Sequence, residues 1–285
     1  MMNLEMATSC FRKLSPARGW LLLLLAALAL SACQTTPRRV FDPGAGIPFE
    51  YEEGLILVEV DAGRHVLHFA VDTGAGSTVL SAQAAWKLRL KGGDEVPVYG
   101  VGTRGVARRV SGFDGSLGGI PLRSELFALN LRRKEGRRPL DGLIGQDFFK
   151  GRIVEIDYAA RRLFIRDHPP STASAVVLPI RYRHDAMCVP VGVNDRKPEW
   201  TRLDTGCVTA LEWGLGIGRD HVTSGARRDM AAVVNLGRDR HEGVLIGWHP
   251  QRLFPEEAGL LGNGLLSHYR VTIDEPRMRL ILTRP

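Results

Sequence analysis

Short runs of β-branched or alternating apolar residues, separated by glycine-rich or polar turns, occupy most of the chain. Residues 55–60 and 66–71 form one pair of runs around a turn at 61–63. Residues 187–193 and a run ending at 203 form a second pair. Such patterns are typical of β-strands in hairpins. Two further hairpins are predicted late in the two halves, at 153–156 with 162–165 and at 271–273 with 278–282.

Helical patterns are scarce. Ser81 is a candidate N-cap for a short amphipathic helix over 82–90, and residues 146–150 are predicted to form a single helical turn. Many short strands with frequent glycine favour closed or sandwiched all-β lobes. We therefore expect an all-β protein.

The chain contains an internal repeat. The segment Gly142-Leu143-Ile144-Gly145 matches Gly259-Leu260-Leu261-Gly262 at an offset of 117 residues. The same offset then places residues 154–157 (VEID) on 271–274 (VTID) without a gap. A repeat of this length predicts two homologous lobes, each of about 110 residues, which is enough for a separate core.

Each half also contains the triplet Asp-Thr-Gly after a hydrophobic residue, at 72–74 and at 204–206. The triplets are 132 residues apart, so the second half is 15 residues shorter between its two landmarks, and we expect one shorter loop there. Two carboxyl groups brought together across a pseudo-twofold axis can share one proton, which allows one to act as an acid and the other as a base.

These residues resemble the motifs of a known family. Residues 71–75 (VDTGA) and 142–145 (GLIG) are similar to aspartic peptidases, with lobes the size of those in retropepsins, and two lobes in one chain resemble the pepsin plan. The resemblance covers about residues 54–285. It implies two homologous retropepsin-like β-barrel lobes, related by a pseudo-twofold axis, with the active site in the cleft between them.

The predicted organisation has five parts. They are a signal peptide at 1–32, a tether at 33–53, an N-terminal lobe at 54–167, an inter-lobe linker at 168–176 and a C-terminal lobe at 177–285.

The resemblance also implies roles for individual residues. Asp72 and Asp204 would be catalytic, with a water molecule activated between them and no covalent intermediate. The family's pattern gives the neighbouring positions to cross-lobe hydrogen bonds and close backbone approach, at Thr73, Gly74, Thr205, Gly206, Gly145 and Gly262. Ala75 and Cys207 stand where pepsin-type enzymes commonly have serine, so we expect activity at mildly acidic to near-neutral pH.

A flap over the cleft is expected in the first lobe. Residues 99–119 are glycine-rich and fit a flexible hairpin, with Tyr99, Gly100 and Gly102 as the candidate flap residues. A shorter candidate occupies residues 224–244 of the second lobe.

The N-terminus is typical of an exported protein. A basic segment and a short apolar run lead to Leu30-Ser31-Ala32-Cys33, which resembles a bacterial lipobox. The resemblance implies cleavage before Cys33 and lipid on its thiol; an ordinary secretory signal is the alternative. Gln34 after the cysteine favours the outer membrane, facing the periplasm.

The remaining features predict few other partners. Without residues 1–32 the formal charge falls from +7 to about +5, and the basic residues occur as scattered pairs, which usually decorate solvated turns and do not indicate nucleic-acid binding. The histidines have no metal-binding spacing, and a strand rather than a helix is predicted after the GxGxxG match at 100–105, so we expect no metal and no cofactor. Cys188 and Cys207 could form a disulfide, or Cys207 could be a buried thiol lining the site.

The sequence therefore predicts a lipid-anchored aspartic endopeptidase of the bacterial envelope that acts on polypeptides. Because one chain supplies both aspartates, no dimer is needed for catalysis. The alternative is an inactive, peptide-binding lipoprotein of the same fold.

Overall fold

The structure is a computed structural model that describes residues 44–100, 103–131, 136–194, 196–215 and 228–285. The described residues belong to one compact unit, Val40–Pro285. The predicted signal peptide, the candidate lipidation site Cys33, the tether residues 33–43 and Gly102 lie outside the described residues. Within the described part of the chain, no helix has the length and apolarity needed to cross a bilayer.

The described residues are mostly β-strands, as the alternating pattern predicts. The strands of the N-terminal half are β1 (Ile47–Glu52), β2 (Leu55–Ala62), β3 (His65–Val71), β4 (Val79–Ser81), β5 (Lys91–Gly100), β6 (Thr103–Ser111), β7 (Ser116–Leu117), β8 (Ile120–Pro121), β9 (Glu125–Leu129), β10 (Gly142–Ile144), β11 (Ile153–Asp157) and β12 (Arg162–Arg166). Those of the C-terminal half are β13 (Val176–Pro179), β14 (Arg181–Arg183), β15 (Ala186–Val193), β16 (Glu199–Leu203), β17 (Leu211–Gly214), β18 (Arg228–Leu236), β19 (Asp239–His249), β20 (Gly259–Leu261), β21 (Arg270–Asp274) and β22 (Arg279–Thr283).

The helices are short, and the first two lie close to their predicted positions, whereas the third was not predicted. They are α1 (Ala82–Lys87), α2 (Gln146–Phe149), α3 (Asn263–Leu266) and a 3-10 turn (Glu275–Arg277). Ser81 caps α1 as predicted, because its hydroxyl accepts a hydrogen bond of 3.0 Å from the Ala84 N–H. The helix ends at Lys87, so its predicted extension to Leu90 is wrong; Arg89 has a φ of 53°, which a helix does not allow.

The two halves repeat one pairing pattern. In the first half, β10 pairs parallel with β3 and antiparallel with β4, and β4 pairs parallel with β9. In the second half, β20 pairs in the same way with β16 and β17, and β17 with β19. Antiparallel pairing between β15 and β18 closes the second set of strands on itself. The two-lobed all-β architecture predicted from the repeat is confirmed.

A sheet joins the two lobes. It has the order β13-β22-β21-β11-β12-β1, and its central pair is β11 with β21. Glu155 pairs with Thr272 in this register, and these two residues are equivalent at the repeat offset of 117. The pseudo-twofold axis therefore passes through this pair. Apolar residues of both hairpins, among them Val154, Ile156 and Ile273, are fully buried around it.

The shorter second half is explained largely by one connection. In the first lobe, residues 112–124, which include β7 and β8, separate β6 from β9. In the second lobe, only Gly237 and Arg238 separate β18 from β19. The Gly237 backbone has a φ of +57° and lies against Val176 and Leu178, which favours a residue without a side chain.

The predicted tether is too long at its C-terminal end. Residues 47–52, assigned to it by their nearby glycines and prolines, form strand β1, which pairs with β12 and with β2. Ile47 and Phe49 are buried, whereas Pro48 and Glu50 are exposed. This alternation is that of a strand with one buried face. In the predicted linker, residues 168–175 contain no strand or helix, and Val176 already belongs to β13.

Candidate active site

Each Asp-Thr-Gly triplet follows a buried strand and turns across the neighbouring strand. Asp72 follows β3 and its N–H donates to the Ile144 carbonyl at 2.9 Å. Asp204 follows β16 and its N–H donates to the Leu261 carbonyl at 2.9 Å. Because the two halves share one pairing pattern, the loops meet at the pseudo-twofold axis. The structure therefore brings together Asp72 and Asp204, which are 132 positions apart in the sequence.

The two carboxyl groups hydrogen-bond to each other. Each also accepts two backbone N–H groups from its own loop. Asp72 Oδ1 accepts from Gly74 at 2.9 Å and from Ala75 at 3.0 Å. Asp204 Oδ1 accepts from Gly206 at 2.9 Å and from Cys207 at 3.1 Å. These bonds fix one oxygen of each carboxyl group.

The two threonines connect the loops across the axis, as the family resemblance implies. The Thr73 N–H donates to Thr205 Oγ1 at 3.1 Å, and the Thr205 N–H donates to Thr73 Oγ1 at 3.0 Å. Each hydroxyl then donates to a carbonyl of the opposite lobe at 2.8 Å, Thr73 to Leu203 and Thr205 to Val71. Both threonines are fully buried. Four reciprocal hydrogen bonds therefore hold the two aspartates in one geometry.

Glycine is required at the third triplet position because the opposite carboxyl group lies against it. A Cβ at Gly74 would be 2.5 Å from Asp204 Cγ, and a Cβ at Gly206 would be 2.6 Å from Asp72 Cγ. Distances below 3.0 Å are not found for real Cβ atoms. Any side chain here would force the dyad apart.

The glycines that end the GLIG and GLLG segments support the triplets from behind. A Cβ at Gly145 would be 2.2 Å from the Ser77 carbonyl carbon. A Cβ at Gly262 would be 2.3 Å from the Thr209 carbonyl oxygen. Both glycines therefore allow the close passage of strand and loop that the family pattern implies.

Sequence reasoning missed two residues that support the triplets. Gln146 Nε2 donates to the Thr73 carbonyl at 2.9 Å, and Asn263 Nδ2 donates to the Thr205 carbonyl at 2.6 Å. Both are buried, and they are equivalent at the offset of 117. The repeat alignment, extended by one residue beyond each Gly, contains the signal that could have found them.

The environment raises the pKa values of the dyad. Burial raises the pKa of Asp72 above the usual value for aspartate, although backbone N–H groups and Arg202 act in the opposite direction. Burial, followed by the negative charge of Asp72, raises the pKa of Asp204 to about 8. Asp204 is buried, whereas Asp72 is partly exposed. Below about pH 8 Asp204 therefore keeps its proton, and while Asp72 is ionised the pair can act as an acid and a base together.

Comparisons with known proteins agree with this geometry. Residues 56–148, which contain the first triplet and the GLIG segment, match the family model described as an aspartyl protease. The chain is similar in structure to an aspartic proteinase from Irpex lacteus, with a TM-score of 0.54 and 13% identity over 84% of this chain and 96% of that chain. The chain thus shares its fold with an aspartic proteinase, and the match over residues 56–148 supports a relation to the aspartic peptidase superfamily. A comparison with curated proteins finds no match.

In this aspartic peptidase fold, the hairpin β5–β6 occupies the position in the chain where the flap was expected. It spans Lys91–Ser111, so the prediction of residues 99–119 is wrong at both ends. Tyr99 and Gly100 lie next to its turn, and Tyr99 is largely exposed. Gly112 has a φ of +86°, which ends the hairpin and turns the chain towards β7. The strand predicted after the GxGxxG match is confirmed.

Over its described part, the candidate flap of the second lobe is the hairpin of β18 and β19. At its turn, Arg238 Nη2 donates to the Ala175 carbonyl at 3.1 Å, and Gly237 lies against Val176. These contacts fix the hairpin against β13. Residues 224–227 lie outside the described residues.

Both cysteines of the mature lobes are free thiols. Cys188 is buried on β15, and Cys207 follows the second triplet. Cys207 Sγ lies 3.2 Å from Thr209 Oγ1, which donates to Glu212 at 2.8 Å. Burial, together with the negative charge of Asp204, raises the pKa of the Cys207 thiol to about 11. Cys207 is therefore not in a disulfide, and its thiol lies beside the site, where it is partly rather than fully buried.

A buried ion pair beside the dyad was also missed. Arg202 lies two residues before Asp204 and binds Glu257, which is fully buried. Its charge lowers the pKa values of both Asp72 and Asp204. Elsewhere, no group of three or more His, Cys, Asp or Glu side chains is arranged to hold a metal ion in the described part of the chain.

Proposed function

We propose that the protein is an aspartic endopeptidase, anchored by lipid in the bacterial envelope, that hydrolyses peptide bonds of polypeptide substrates. The observation that carries the proposal is the pair of hydrogen-bonded carboxyl groups, Asp72 and Asp204, held across the axis by reciprocal threonine bonds. A dyad that holds one proton near neutrality has both an acid and a base in contact.

In the proposed mechanism, the ionised carboxylate takes a proton from water while the protonated carboxyl transfers its proton to the oxygen of the scissile carbonyl. The oxygen of that water bonds to the carbonyl carbon and gives a tetrahedral diol. The C–N bond then breaks as the leaving nitrogen receives a proton from the dyad. The second carboxyl takes up the diol proton, so the pair ends with one proton, as it began.

The substrate is expected to bind in extended form. Extended peptides commonly bind to proteins as added strands, and the hairpin β5–β6 offers an outer strand, β5, at the end of the sheet path. Tyr99 and Gly100 are the described flap residues of this proposal. Because one chain supplies both aspartates, the proposed enzyme needs no dimer.

The test of activity is cleavage of denatured casein by the wild-type protein and by the Asp72→Asn and Asp204→Asn variants. We expect cleavage by the wild type, and a loss of at least about 1,000-fold in both variants because either substitution removes the shared acid–base function. Asp167→Asn, at an exposed carboxyl that follows β12, is the matched control and should cleave normally.

The outcomes separate the two candidate functions. Equal cleavage by all four proteins would show that a contaminant or another site is responsible. If none cleaves casein but all bind it, the inactive peptide-binding alternative is supported instead.

The lipid anchor is tested separately in a Gram-negative host. With labelled palmitate in the medium, the wild-type protein is expected to carry label and to fractionate with the outer membrane. Cys33→Ser should carry none. Label on both proteins, or on neither, contradicts the lipid anchor and leaves the peptidase proposal untouched.

A further inference from the structure

Arg202 distinguishes the second lobe from the first. It lies on β16, two residues before Asp204, which follows the end of this strand. The equivalent residue of the first lobe is Ala70, at the triplet offset of 132. Only 7% of the Arg202 surface is exposed. A long cation buried beside two acids needs specific partners.

The guanidinium of Arg202 contacts three residues, of which Glu257 and Phe254 belong to its own lobe. Its Nε and Nη2 atoms donate to the two carboxylate oxygens of Glu257, each at 2.7 Å. Its Cζ lies 3.6 Å from the centre of the Phe254 ring. These contacts form a bidentate ion pair stacked on an aromatic face, which fixes the plane of the guanidinium.

The remaining contact crosses to the other lobe. Arg202 Nη1 donates to the carbonyl of Gly74 at 3.0 Å. Gly74 touches both acids: its N–H donates to Asp72 Oδ1, and its α-carbon faces the Asp204 carboxyl group. Arg202 therefore holds the loop of the opposite lobe at the point where the loop meets the dyad.

This contact has no symmetric counterpart. The first-lobe positions equivalent to Arg202 and Glu257 are Ala70 and Leu140, at the offsets of 132 and 117. Neither can carry a charge. The dyad is therefore supported by a cation from one side only, although the threonine and glycine contacts around it are symmetric.

We propose that Arg202 is a positioning residue of the dyad: through its hydrogen bond to the Gly74 carbonyl it fixes the first triplet against the second, and its buried cation favours the ionised carboxylate of the pair. The inference rests on the proposed peptidase function and deepens it. The ion pair with Glu257 keeps the guanidinium in place, so Glu257 acts through Arg202.

Several other ionisable groups face this cluster. His184 Nδ1 lies 3.5 Å from Glu257 Oε1, on the turn between β14 and β15. Cys188 is the strand neighbour of Arg202, and burial, followed by the negative charge of Glu257, raises the pKa of its thiol to about 12. The charge of Arg183 acts on Cys188 in the opposite direction. Among these groups, Arg202 is the one whose charge lowers the pKa values of both dyad acids.

The test must avoid leaving Glu257 buried without a partner, because such a change could unfold the protein. The double variant Arg202→Met/Glu257→Leu replaces the pair with apolar side chains of similar volume. Arg183→Met/Glu256→Leu removes a neighbouring, more exposed ion pair of 3.0 Å and is the matched control. His184→Gln tests the histidine that faces Glu257.

Two readouts are measured on each protein. The first is kcat/KM for casein cleavage as a function of pH. The second is the titration of the Asp72 and Asp204 carboxyl carbons by carbon-13 NMR, assigned with Asp72→Asn and Asp204→Asn. The NMR titration requires no activity, so it reports on Arg202 even where cleavage is not detected. A thermal melt of each variant checks that it is folded.

We expect the Arg202→Met/Glu257→Leu variant to fold and to titrate about one pH unit higher than the wild type at the dyad, because a nearby cation favours the ionised carboxylate. Both limbs of its pH–rate profile should move in the same direction, and kcat/KM at the new optimum should fall about 10- to 100-fold through looser positioning. The two control proteins should match the wild type.

Arg202→Lys separates charge from positioning. Lysine keeps the positive charge but cannot form both hydrogen bonds that the guanidinium donates to Glu257. We therefore expect the dyad carboxyl groups to titrate near their wild-type pH, while kcat/KM falls because the first triplet is less well positioned. Unchanged dyad titration in the folded double variant would overturn the proposal, as would an equal shift in the Arg183→Met/Glu256→Leu control. A wild type that does not cleave casein contradicts the proposed function alone, since the NMR result still decides the role of Arg202.

Discussion

Asp204→Asn should make the protein more stable near neutral pH while removing its activity. Asp204 is buried, and its pKa is raised from 3.8 to about 8. The folded state therefore keeps a proton that the unfolded state releases above pH 3.8. Under the linkage relation, this proton difference makes the free energy of unfolding fall as pH rises between these two values, by about 1.4 kcal/mol per pH unit for one proton.

The magnitude follows from this slope. Between pH 4 and pH 7, a full proton difference lowers the stability of the wild type by about 4 kcal/mol. Asparagine has no proton to release, and its Oδ1 can still accept from the N–H groups of Gly206 and Cys207. The pKa of Asp72 is also raised, so Asp72 keeps part of the pH dependence and we expect a net gain of about 2–4 kcal/mol at pH 7.

The assay is urea denaturation of the wild type and of Asp204→Asn at half-unit steps from pH 4 to pH 8. The difference between the two free energies of unfolding should be small at pH 4 and grow towards pH 7. Asp94→Asn, at an exposed carboxyl, controls for the loss of one negative charge and should follow the wild type. If Asp204→Asn is less stable than the wild type at pH 7, or if the difference is the same at every pH, the reasoning is refuted.

Three further outcomes are expected. Gly206→Ala should lower casein cleavage at least about 100-fold, because its Cβ would lie 2.6 Å from Asp72 Cγ. Gly63→Ala is the control for backbone strain, because Gly63 has a φ of +63° at a turn in open space. Equal losses of cleavage in the two variants would contradict the steric explanation. Thr205→Val should lower the free energy of unfolding by about 1–3 kcal/mol, since it removes the hydroxyl bonded to Thr73 and Val71, and an unchanged urea midpoint would speak against this. Cleavage by the wild type should peak at mildly acidic to near-neutral pH because burial raises both dyad pKa values, whereas an optimum below about pH 3 would indicate dyad acids like those of pepsin.

Most of what could be predicted from the sequence, namely the two lobes and the pairing of the two triplets, came from the internal repeat. The glycine that ends each GLIG or GLLG segment indicates that this segment passes in contact with the loop after the Asp-Thr-Gly triplet. The positions of the triplets and of the strands that cross behind them could therefore be predicted from short motifs. The same alignment, extended by one residue, would also have identified Gln146 and Asn263 as equivalent residues.

Other features depend on contacts that local patterns do not contain. Residues 91–95 begin the hairpin β5–β6 but are exposed, so no buried face marks them as a strand. In 47–52 the alternation is present, but the adjoining glycines and prolines are equally typical of a tether. Arg202 and Glu257 are 55 positions apart, and their pairing follows only from the parallel register of β16 with β20.

The pairing of Glu155 with Thr272 has an evolutionary consequence. A strand that pairs with its own equivalent can join two identical polypeptides without any new contact, so an ancestral half-length chain could have assembled through this same ladder. Gene fusion would then release each half from having to serve both positions with one sequence. A buried arginine on one side only, opposite Ala70 on the other, is a specialisation that two identical subunits could not have acquired.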